Sequence, residues 1–369
     1  MAESTTPAAA IDAPPVRAED FEVAARAILP KGIYDYFAGG AEDEAALAGN
    51  RAAFARWRFR YRVLTGASDP DLSLELLGQR FAMPVQLAPA ATQKMAHPDG
   101  ELGAAKAATA AGVVYCLSTL STTSMETVAS AAGVRWFQLY VFKDRGITTE
   151  LVDRAAAAGY QAIALTVDTP ILGRRERDLR NAFGMPAGFQ YENLVGPLAR
   201  AGPADLGQSA LAQYFSFQLD HALTFKDLEW LAGHTRLPVL VKGVVRADDA
   251  RRSVSAGARG VIVSNHGGRQ LDYSIATLDA LPAVVDEVGG DVPVLVDGGI
   301  RRGTDVLKAL ALGARSVMIG RPYLWALAVG GGDGVRGLLE ILREEIAVSM
   351  SLLGVRRLDE LTPDLLAGP

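Results

Sequence analysis

The feature that most constrains this chain is an alternation that begins near residue 81 and continues almost to its end. A short apolar run rich in β-branched residues is followed by polar residues or glycine, and then by an alanine-rich amphipathic stretch. Near-continuous apolar strands that alternate with helices favour a parallel sheet covered by helices. The apolar runs occupy residues 83–89, 112–118, 136–141, 162–168, 238–243, 260–265, 293–299 and 316–321.

The number of repeats narrows the fold class. Eight strand–helix units predict an α/β protein built as a (β/α)8 TIM barrel. A doubly wound open sheet is the alternative, but no G-x-G-x-x-G motif follows the first run, which disfavours that fold. Residues 101–112 and 303–313 each read as a helix that ends in glycine before the next strand.

Three segments lie outside the repeat. Residues 1–16 are rich in Ala, Pro and Thr and predict a disordered tail, whereas residues 17–369 predict a single barrel domain. Residues 17–80 predict an N-terminal helical extension that packs outside or beneath the barrel. The interval after the fourth run is much longer than one helix requires. Within it, residues 184–215 predict a lid loop.

Composition excludes several classes of protein. Apolar residues make up 49% of the chain, charged residues make up 21%, and the net charge is −5. A mildly acidic chain disfavours nucleic-acid binding as the main function. The single cysteine, Cys116, lies in an apolar run and predicts a buried side chain in a reducing compartment. No secretory signal, membrane span or organelle address is recognisable, so we expect a cytoplasmic protein without a membrane partner.

Polar residues cluster where the apolar runs end. Active sites of β/α barrels lie at the C-terminal ends of the strands, so we expect these side chains to share one rim. Burying them unpaired would cost several kcal/mol each, and together they predict a positively charged pocket with one candidate base. The rim residues are Ala90, Ala91, Thr92, Ser118, Thr119, Leu120, Gln138, Tyr140, Thr166, Asp168, Arg174, Arg175, Lys242, Ser264, His266, Arg269, Asp297, Gly298, Gly299, Arg301, Gly320 and Arg321.

Glycine and arginine follow the last two runs together, in "DGGIRRG" (297–303) and "IGRP" (319–322). Backbone N–H groups and a helix N-terminus at this position hold phosphate in many barrels. The pattern predicts a site for a phosphorylated substrate or a flavin nucleotide.

Only one of the four histidines lies on the predicted rim, namely His266. His97 precedes Pro98 at a predicted helix start, and His221 and His234 are predicted in helical stretches. None of them shows the spacing of a zinc ligand set, which disfavours hydrolytic zinc chemistry.

Seven segments in order resemble the FMN-dependent α-hydroxy acid oxidases and dehydrogenases. This family includes glycolate oxidase, lactate oxidase, mandelate dehydrogenase and hydroxymandelate oxidase. The resemblance covers residues 20–360 and implies FMN as the cofactor, a small 2-hydroxy acid as the substrate and a homotetramer. The segments are "YDYFAGGAEDE", "QKMAHPDGE", "WFQLYVFKDR", "LTVDTPILGRRERD", "PVLVKGV", "SNHGGRQLDY" and "LVDGGIRRGTDVLKALALGA…IGRP".

The resemblance implies a division of catalytic roles. His266 matches the active-site base, and histidine has a pKa suited to proton transfer near neutral pH. Asp168 matches the carboxylate that orients and charge-stabilises that histidine. Lys242 matches the cation near flavin N1, where a fixed positive charge stabilises the negative charge of reduced flavin.

Substrate contacts follow from the same resemblance. Arg269, Arg175 and Tyr36 match the residues that bind the substrate carboxylate, a planar anion that arginine binds bidentately. Tyr140 matches the contact to the substrate hydroxyl. The FMN contacts implied are Ala90, Ala91, Ser118, Gln138, Thr166, Ser264, Asp297, Gly299, Arg301, Gly320 and Arg321, with Lys242.

Two departures from the glycolate oxidase pattern bear on the substrate. Leu120 replaces an aromatic residue and Ile171 replaces an arginine, so both changes leave an apolar wall. With Phe189 or Tyr214 from the predicted lid, they predict a bulkier, mandelate-type or longer aliphatic 2-hydroxy acid. Ala91 is typical of oxidases, and no haem module or hydrophobic membrane insertion is recognisable, so we expect O2 to accept the electrons and form H2O2.

Other functions remain open at this stage. Within the family, the chain could be a dehydrogenase or a lactate 2-monooxygenase, and its chemistry could proceed through hydride or carbanion. A different class is a Schiff-base aldolase with Lys242 as the nucleophile. A flavin-binding scaffold without activity is a third interpretation.

Overall fold

The structure is a computed structural model that describes residues 14–196 and 218–368. Residues 1–13 of the predicted tail lie outside the described residues, as do residues 197–215 of the predicted lid and with them Tyr214. In the part of the tail that is described, the Val16 side chain is exposed and its backbone N–H donates to Asp20.

Eight parallel strands close into a barrel, which confirms the predicted (β/α)8 fold. The strands follow one another in chain order around the barrel, and the last pairs with the first. Each predicted apolar run corresponds to one strand, and two of the strands extend one residue beyond their run. The barrel strands are β4 (Val85–Leu87), β5 (Tyr115–Ser118), β6 (Arg135–Leu139), β7 (Ala162–Thr166), β8 (Val239–Val244), β9 (Gly260–Val263), β10 (Val294–Asp297) and β11 (Ser316–Ile319).

Burial on both faces explains why the strand segments are so uniformly apolar. Every residue of β4, β5, β7, β9, β10 and β11 is buried. One set of side chains packs against the helices, and a smaller set, which includes Cys116 and Met318, fills the barrel interior. A hairpin formed by β2 (Leu74–Leu76) and β3 (Gln79–Phe81) adds apolar side chains to that interior. Cys116 is fully buried, as predicted.

The helices cover the outside of the barrel, and three of them precede it. The predicted C-cap at Gly112 is confirmed, because this glycine adopts a left-handed conformation with φ of 69°. A short strand β1 (Arg58–Phe59) pairs with β12 (Leu366–Ala367). The helices are Ala18–Ile28, Lys31–Ala38, Ala45–Arg56, Gly100–Ala111, Met125–Ala129, Arg145–Ala157, Glu176–Arg180, Phe225–His234, Ala247–Ser255, Thr277–Val288, Gly303–Ala311 and Arg321–Leu353.

The described part of the predicted lid, residues 184–196, packs onto the barrel. Asn193 is fully buried, its side chain donates to Ser121 Oγ at 2.8 Å, and it accepts from the Met125 backbone at 2.8 Å. Both partners follow β5, so this segment forms part of the wall around the strand ends. Within residues 14–196 and 218–368, no helix has the length and apolarity to cross a bilayer.

Candidate active site

A cavity of about 710 Å3 lies at the C-terminal ends of the barrel strands, within the usual range for small-molecule sites. Almost all of the residues that were predicted to act in catalysis or to bind the substrate or FMN line this cavity. Two exceptions lie directly behind the wall: Asp168 contacts His266, and Ser264 contacts Lys242. The third, Ile171, has a 66% exposed side chain and does not line the cavity; its neighbour Leu172 does.

His266 and Asp168 form a hydrogen-bonded pair at the cavity wall. Nδ1 of His266 lies 2.8 Å from Oδ1 of Asp168, whose side chain is 10% exposed. A carboxylate only accepts hydrogen bonds, so the proton of a neutral imidazole must be on Nδ1. That leaves the lone pair of Nε2 as a base for a molecule bound in the cavity.

Charge and burial fix the protonation states of this pair. Burial lowers the pKa of His266 below its ordinary value, with Lys242 and Arg175 acting in the same direction and Asp168 opposing them. Burial alone would raise the pKa of the Asp168 carboxyl, but His266, Lys242 and its hydrogen bonds lower it. A neutral imidazole beside an ionised carboxylate is the arrangement that a general base requires.

Lys242 extends from β8 into a second buried pair. Its Nζ lies 2.9 Å from Oδ2 of Asp297 at the end of β10, and it donates to Ser264 Oγ at 2.8 Å. Burial would lower the pKa of Lys242, but the charges of Asp297 and Asp168 raise it. The lysine is therefore a fixed cation in the cavity wall.

A row of polar side chains lies across neighbouring strands β5, β6 and β7. Gln138 donates to Thr166 Oγ1 at 3.0 Å and accepts from Ser118 Oγ at 3.3 Å and from the Thr119 backbone at 3.2 Å. These residues lie close together because Ser118 pairs with Gln138 in the strand register. They give one wall of the cavity both donors and acceptors.

Two arginines are anchored by backbone carbonyl groups at the end of the helix Lys31–Ala38. Arg269 donates to the Tyr36 and Gly39 carbonyls at 2.6 and 2.9 Å, and Arg321 donates to the Gly39 carbonyl at 2.8 Å. The C-terminal end of a helix favours cations. The same helix places Tyr36 in the cavity, with its ring stacked on Phe183 at 4.6 Å between centroids.

Burial also affects the two anchored guanidinium groups. Burial and the neighbouring charge of Arg175 lower the pKa of Arg269 to about 10. Burial and the charges of Arg269 and Arg301 lower the pKa of Arg321. An anion bound in this cavity would relieve the repulsion among these cations.

The turn after β9 adopts left-handed backbone conformations at three successive residues. His266 has a φ of 57°, Gly267 of 63° and Gly268 of 75°. A Cβ on Gly267 would lie 2.8 Å from Nη1 of Arg321, and one on Gly268 would lie 2.5 Å from the Leu47 backbone nitrogen. Glycine is required at both positions, and the turn lets His266 and Arg269 face one cavity.

The residues after β10 and β11 fit a phosphate-bearing cofactor. Nε of Arg301 and Oδ1 of Asp297 are buried and have no hydrogen-bond partner among the described residues. Gly320 precedes the helix Arg321–Leu353, and a Cβ there would meet no atom within 4 Å. A helix N-terminus, an open glycine and an incompletely bonded arginine together suit an anionic group.

Several residues that line the cavity were not predicted from the sequence. Asp178 and Leu172 lie in the loop and helix after β7, where no periodicity indicates which side chains face inwards. Met185 and Tyr191 of the predicted lid line the cavity, whereas Phe189 does not. The other missed lining residues include Thr169, Phe183, Leu219 and His221.

The predicted position of His221 was wrong. It lies in a turn before the helix Phe225–His234 and contacts the cavity, because the polar residues around it form that turn and not a helix. His97 accepts from the Asp99 backbone at 3.1 Å just before a helix, which agrees with its predicted place at a helix start.

The chain is similar to known proteins over most of its length. The family model of the FMN-dependent dehydrogenases matches residues 25–368. Glycolate oxidase 3 of Arabidopsis thaliana is 52% identical over 350 residues, covering 93% of each chain. The L-lactate oxidase of a Nostoc species is 48% identical over 357 residues, covering 95% of this chain and 98% of the oxidase.

Solved structures are similar over nearly the whole chain. A soluble mutant of the membrane-associated (S)-mandelate dehydrogenase from Pseudomonas putida has a TM-score of 0.89 at 40% identity. A mandelate oxidase structure with (S)-2-phenylpropionate has a TM-score of 0.86 at 43% identity. Each similarity covers 96% of this chain and 99% of the other.

Proposed function

The chain belongs to the FMN-dependent dehydrogenase family and is an FMN-dependent oxidoreductase of 2-hydroxy acids; we propose that its substrate is an (S)-2-hydroxy acid larger and more apolar than glycolate. The product is the 2-keto acid, and O2 accepts the electrons to give H2O2. The His266–Asp168 pair beside a cluster of cations is the observation that carries the proposal. We further propose that the protein is cytoplasmic and forms a homotetramer.

The described residues divide the work as follows. Arg269 and Arg175 bind the substrate carboxylate with Tyr36, all three of which line the cavity. Nε2 of His266 accepts the proton that the substrate loses, and Asp168 stabilises the imidazolium that forms. FMN, when bound, accepts the two electrons that the substrate loses.

Tyr140 and Lys242 complete the site. Burial and the charge of Asp168 raise the pKa of Tyr140 to about 12, so its phenol stays neutral and can donate to the substrate oxygen. Lys242 supplies a positive charge on the side of the cavity assigned to the isoalloxazine. Arg301, Arg321 and the N-terminus of the helix Arg321–Leu353 would hold the phosphate.

The walls near these groups support a large apolar substrate. Leu120, Leu172, Met185 and Leu219 line the same cavity as Arg175. Apolar walls favour a substrate with an apolar side chain, because removing apolar surface from water is favourable. Several solved structures of similar chains are mandelate oxidases or (S)-mandelate dehydrogenases, which supports an aryl side chain over that of glycolate.

O2 as the acceptor rests on different support. Both curated relatives described above are oxidases, and Ala91, at the position associated with oxidases in the sequence, lines the cavity. Dehydrogenase and lactate 2-monooxygenase activities are the alternatives within the family. They differ in the acceptor or in the final product, and product analysis distinguishes them.

The aldolase alternative is disfavoured by the state of Lys242. A Schiff-base nucleophile must be a free amine, so it needs a lowered pKa. Lys242 instead has a raised pKa and a 2.9 Å ion pair with Asp297.

One experiment tests the proposed function directly. The purified protein should be yellow, and its flavin absorbance should bleach without oxygen when (S)-mandelate or a long aliphatic 2-hydroxy acid is added. In air, the same acids should yield H2O2 and the 2-keto acid in equal amounts. A colourless protein that borohydride traps with a substrate would establish the aldolase, and a decarboxylated acid would establish the monooxygenase.

Leu120→Trp is expected to shift the substrate preference towards small acids. Filling an apolar wall with a larger ring costs roughly 1–3 kcal/mol for a ligand that needs the space, so the kcat/KM ratio of mandelate to glycolate should fall about 10- to 100-fold. Steady-state kinetics with both acids measure the ratio. Ile171→Trp is the matched control, because Ile171 is exposed outside the cavity. An equal shift in both variants would contradict the proposed wall.

A further inference from the structure

Asp178 places a carboxylate in the cavity that the proposed mechanism does not use. It lies in the helix Glu176–Arg180, three residues after Arg175, which is the N-cap of that helix. Asp178, Arg175 and Arg269 all line the cavity. Asp178 also interacts electrostatically with both arginines, so it belongs to the group that would surround the substrate carboxylate.

The Asp178 side chain is partly buried in that group. Burial raises the pKa of its carboxyl, whereas the charges of Arg269 and Arg175 oppose this effect. A partly buried carboxylate in a site for anions weakens the binding of an anionic substrate. Its presence there therefore indicates a separate role. Glu176, the other acidic residue of this helix, differs from Asp178, because it pairs with Arg180 and Arg174 away from the cavity.

The charges in the cavity suggest what that role is. Lys242 is neutralised by Asp297, which leaves the guanidinium groups of Arg175 and Arg269 for the substrate. Asp178 cancels one of these charges, so the carboxylate-binding group has an excess of one positive charge. One substrate carboxylate balances that excess.

A second carboxylate on the substrate would meet unfavourable surroundings. Asp178 would repel it, and so would Asp168, which is kept ionised by its pairing with His266. The apolar part of the wall, which includes Leu120 and Leu172, offers a charge no hydrogen bond from its side chains. A charge that loses water without a partner binds poorly.

We propose that Asp178 is a specificity-determining residue that selects 2-hydroxy monocarboxylates with uncharged side chains against 2-hydroxy dicarboxylates. The proposal rests on the proposed function, because it concerns the substrate of the same site. It assigns to Asp178 the rejection of a second charge and assigns the size of the side chain to the apolar wall.

The test compares two acids of equal chain length that differ only in the terminal group, (S)-2-hydroxypentanoate and (S)-2-hydroxyglutarate. The wild-type enzyme should strongly prefer the former. Asp178→Asn removes the charge and keeps the shape. Measured at about pH 8, several units above the ordinary pKa of a carboxyl group, it should raise the relative kcat/KM for the dicarboxylate. A unit charge acting across such a site predicts a change of about tenfold.

Binding of inert acids provides a readout that is independent of turnover. Glutarate and pentanoate should perturb the flavin spectrum when they bind, and titration yields their Kd values. Asp178→Asn should tighten glutarate about tenfold relative to pentanoate. Glu176→Gln, which removes a charge from the same helix but outside the cavity, should leave both ratios unchanged.

Each alternative outcome is distinguishable. A wild-type enzyme that oxidises the two acids equally overturns the role of Asp178 whatever the variants do. Unchanged ratios in Asp178→Asn and in Asp178→Ser also overturn it, as do equal changes in Glu176→Gln. A wild-type protein that oxidises no 2-hydroxy acid overturns the proposed function, and this inference with it.

Discussion

Replacement of His266 by glutamine is expected to lower kcat by about three to four orders of magnitude, near the upper end of what general base catalysis contributes. Glutamine can still donate to Asp168, which His266 contacts at 2.8 Å, but it cannot accept a proton. The FMN content should be unchanged, because the residues assigned to the phosphate lie after β10 and β11. Stopped-flow reduction of the flavin by mandelate under nitrogen measures the loss at the chemical step.

The pH profile of the wild-type enzyme should report the same group. Only neutral His266 can accept the substrate proton, so kcat/KM should fall as the pH decreases through the pKa of His266. Because burial lowers that pKa, the midpoint of the acid limb should lie below the ordinary histidine value of about 6.5. The acid limb should be absent from the residual activity of His266→Gln.

His221 provides a matched control, because it is a second histidine that lines the cavity. His221→Gln should keep the acid limb and most of the turnover. If His221→Gln abolished flavin reduction while His266→Gln preserved it, the assignment of the base would be wrong. A His266→Gln protein that lacked FMN would show instead that the turn after β9 supports the cofactor site.

The periodic parts of the chain were the predictable parts. Six of the eight strands fall within their predicted runs, and β6 and β8 each extend one residue beyond theirs. The runs were visible because a strand buried on both faces must be largely apolar. The end of each strand was predictable to within two residues for the same reason, and so was the rim where the polar residues gather. A buried strand that is followed closely by His266, or that carries Lys242 near its end, already indicates a site.

Contacts between residues that are distant in the chain were harder to predict from the sequence. Lys242 and Asp297 are far apart in the chain, and their 2.9 Å contact depends on the order and stagger of β8, β9 and β10. The carbonyl groups that anchor Arg269 and Arg321 have no signature in the sequence, because every residue carries one. Such contacts follow from the closed barrel and not from any motif.

The loop after β7 was the least predictable region that bears on function. Ile171 and Leu172 are adjacent and equally apolar, yet only Leu172 lines the cavity. Without a helical or strand period, nothing in the sequence indicates which of two neighbours faces inwards. Asp178 was overlooked for a related reason, because it ends the charged run "RRERD", which resembles a solvated surface.

Replacement of Lys242 by methionine is expected to lower the rate of flavin reduction about 100- to 1000-fold, the usual effect of losing one fixed electrostatic contact in a catalytic site. Lys242 is buried and its pKa is raised by Asp297 and Asp168, so it is charged at every working pH. Without it, the site offers less stabilisation for the negative charge that reduction adds. The midpoint potential of the bound flavin should therefore fall, and anaerobic redox titration measures that change independently of turnover.

The difficulty with this variant is that it also breaks a buried ion pair. Asp297 would be left as an uncompensated buried carboxylate, and breaking such a pair costs about 3–5 kcal/mol of stability. The double variant Lys242→Met with Asp297→Asn separates the two effects, because it removes both charges at once. It should regain thermal stability relative to the single variant, while flavin reduction stays slow and the potential stays low. Recovery of the rate in the double variant would mean that Lys242 serves only to neutralise Asp297.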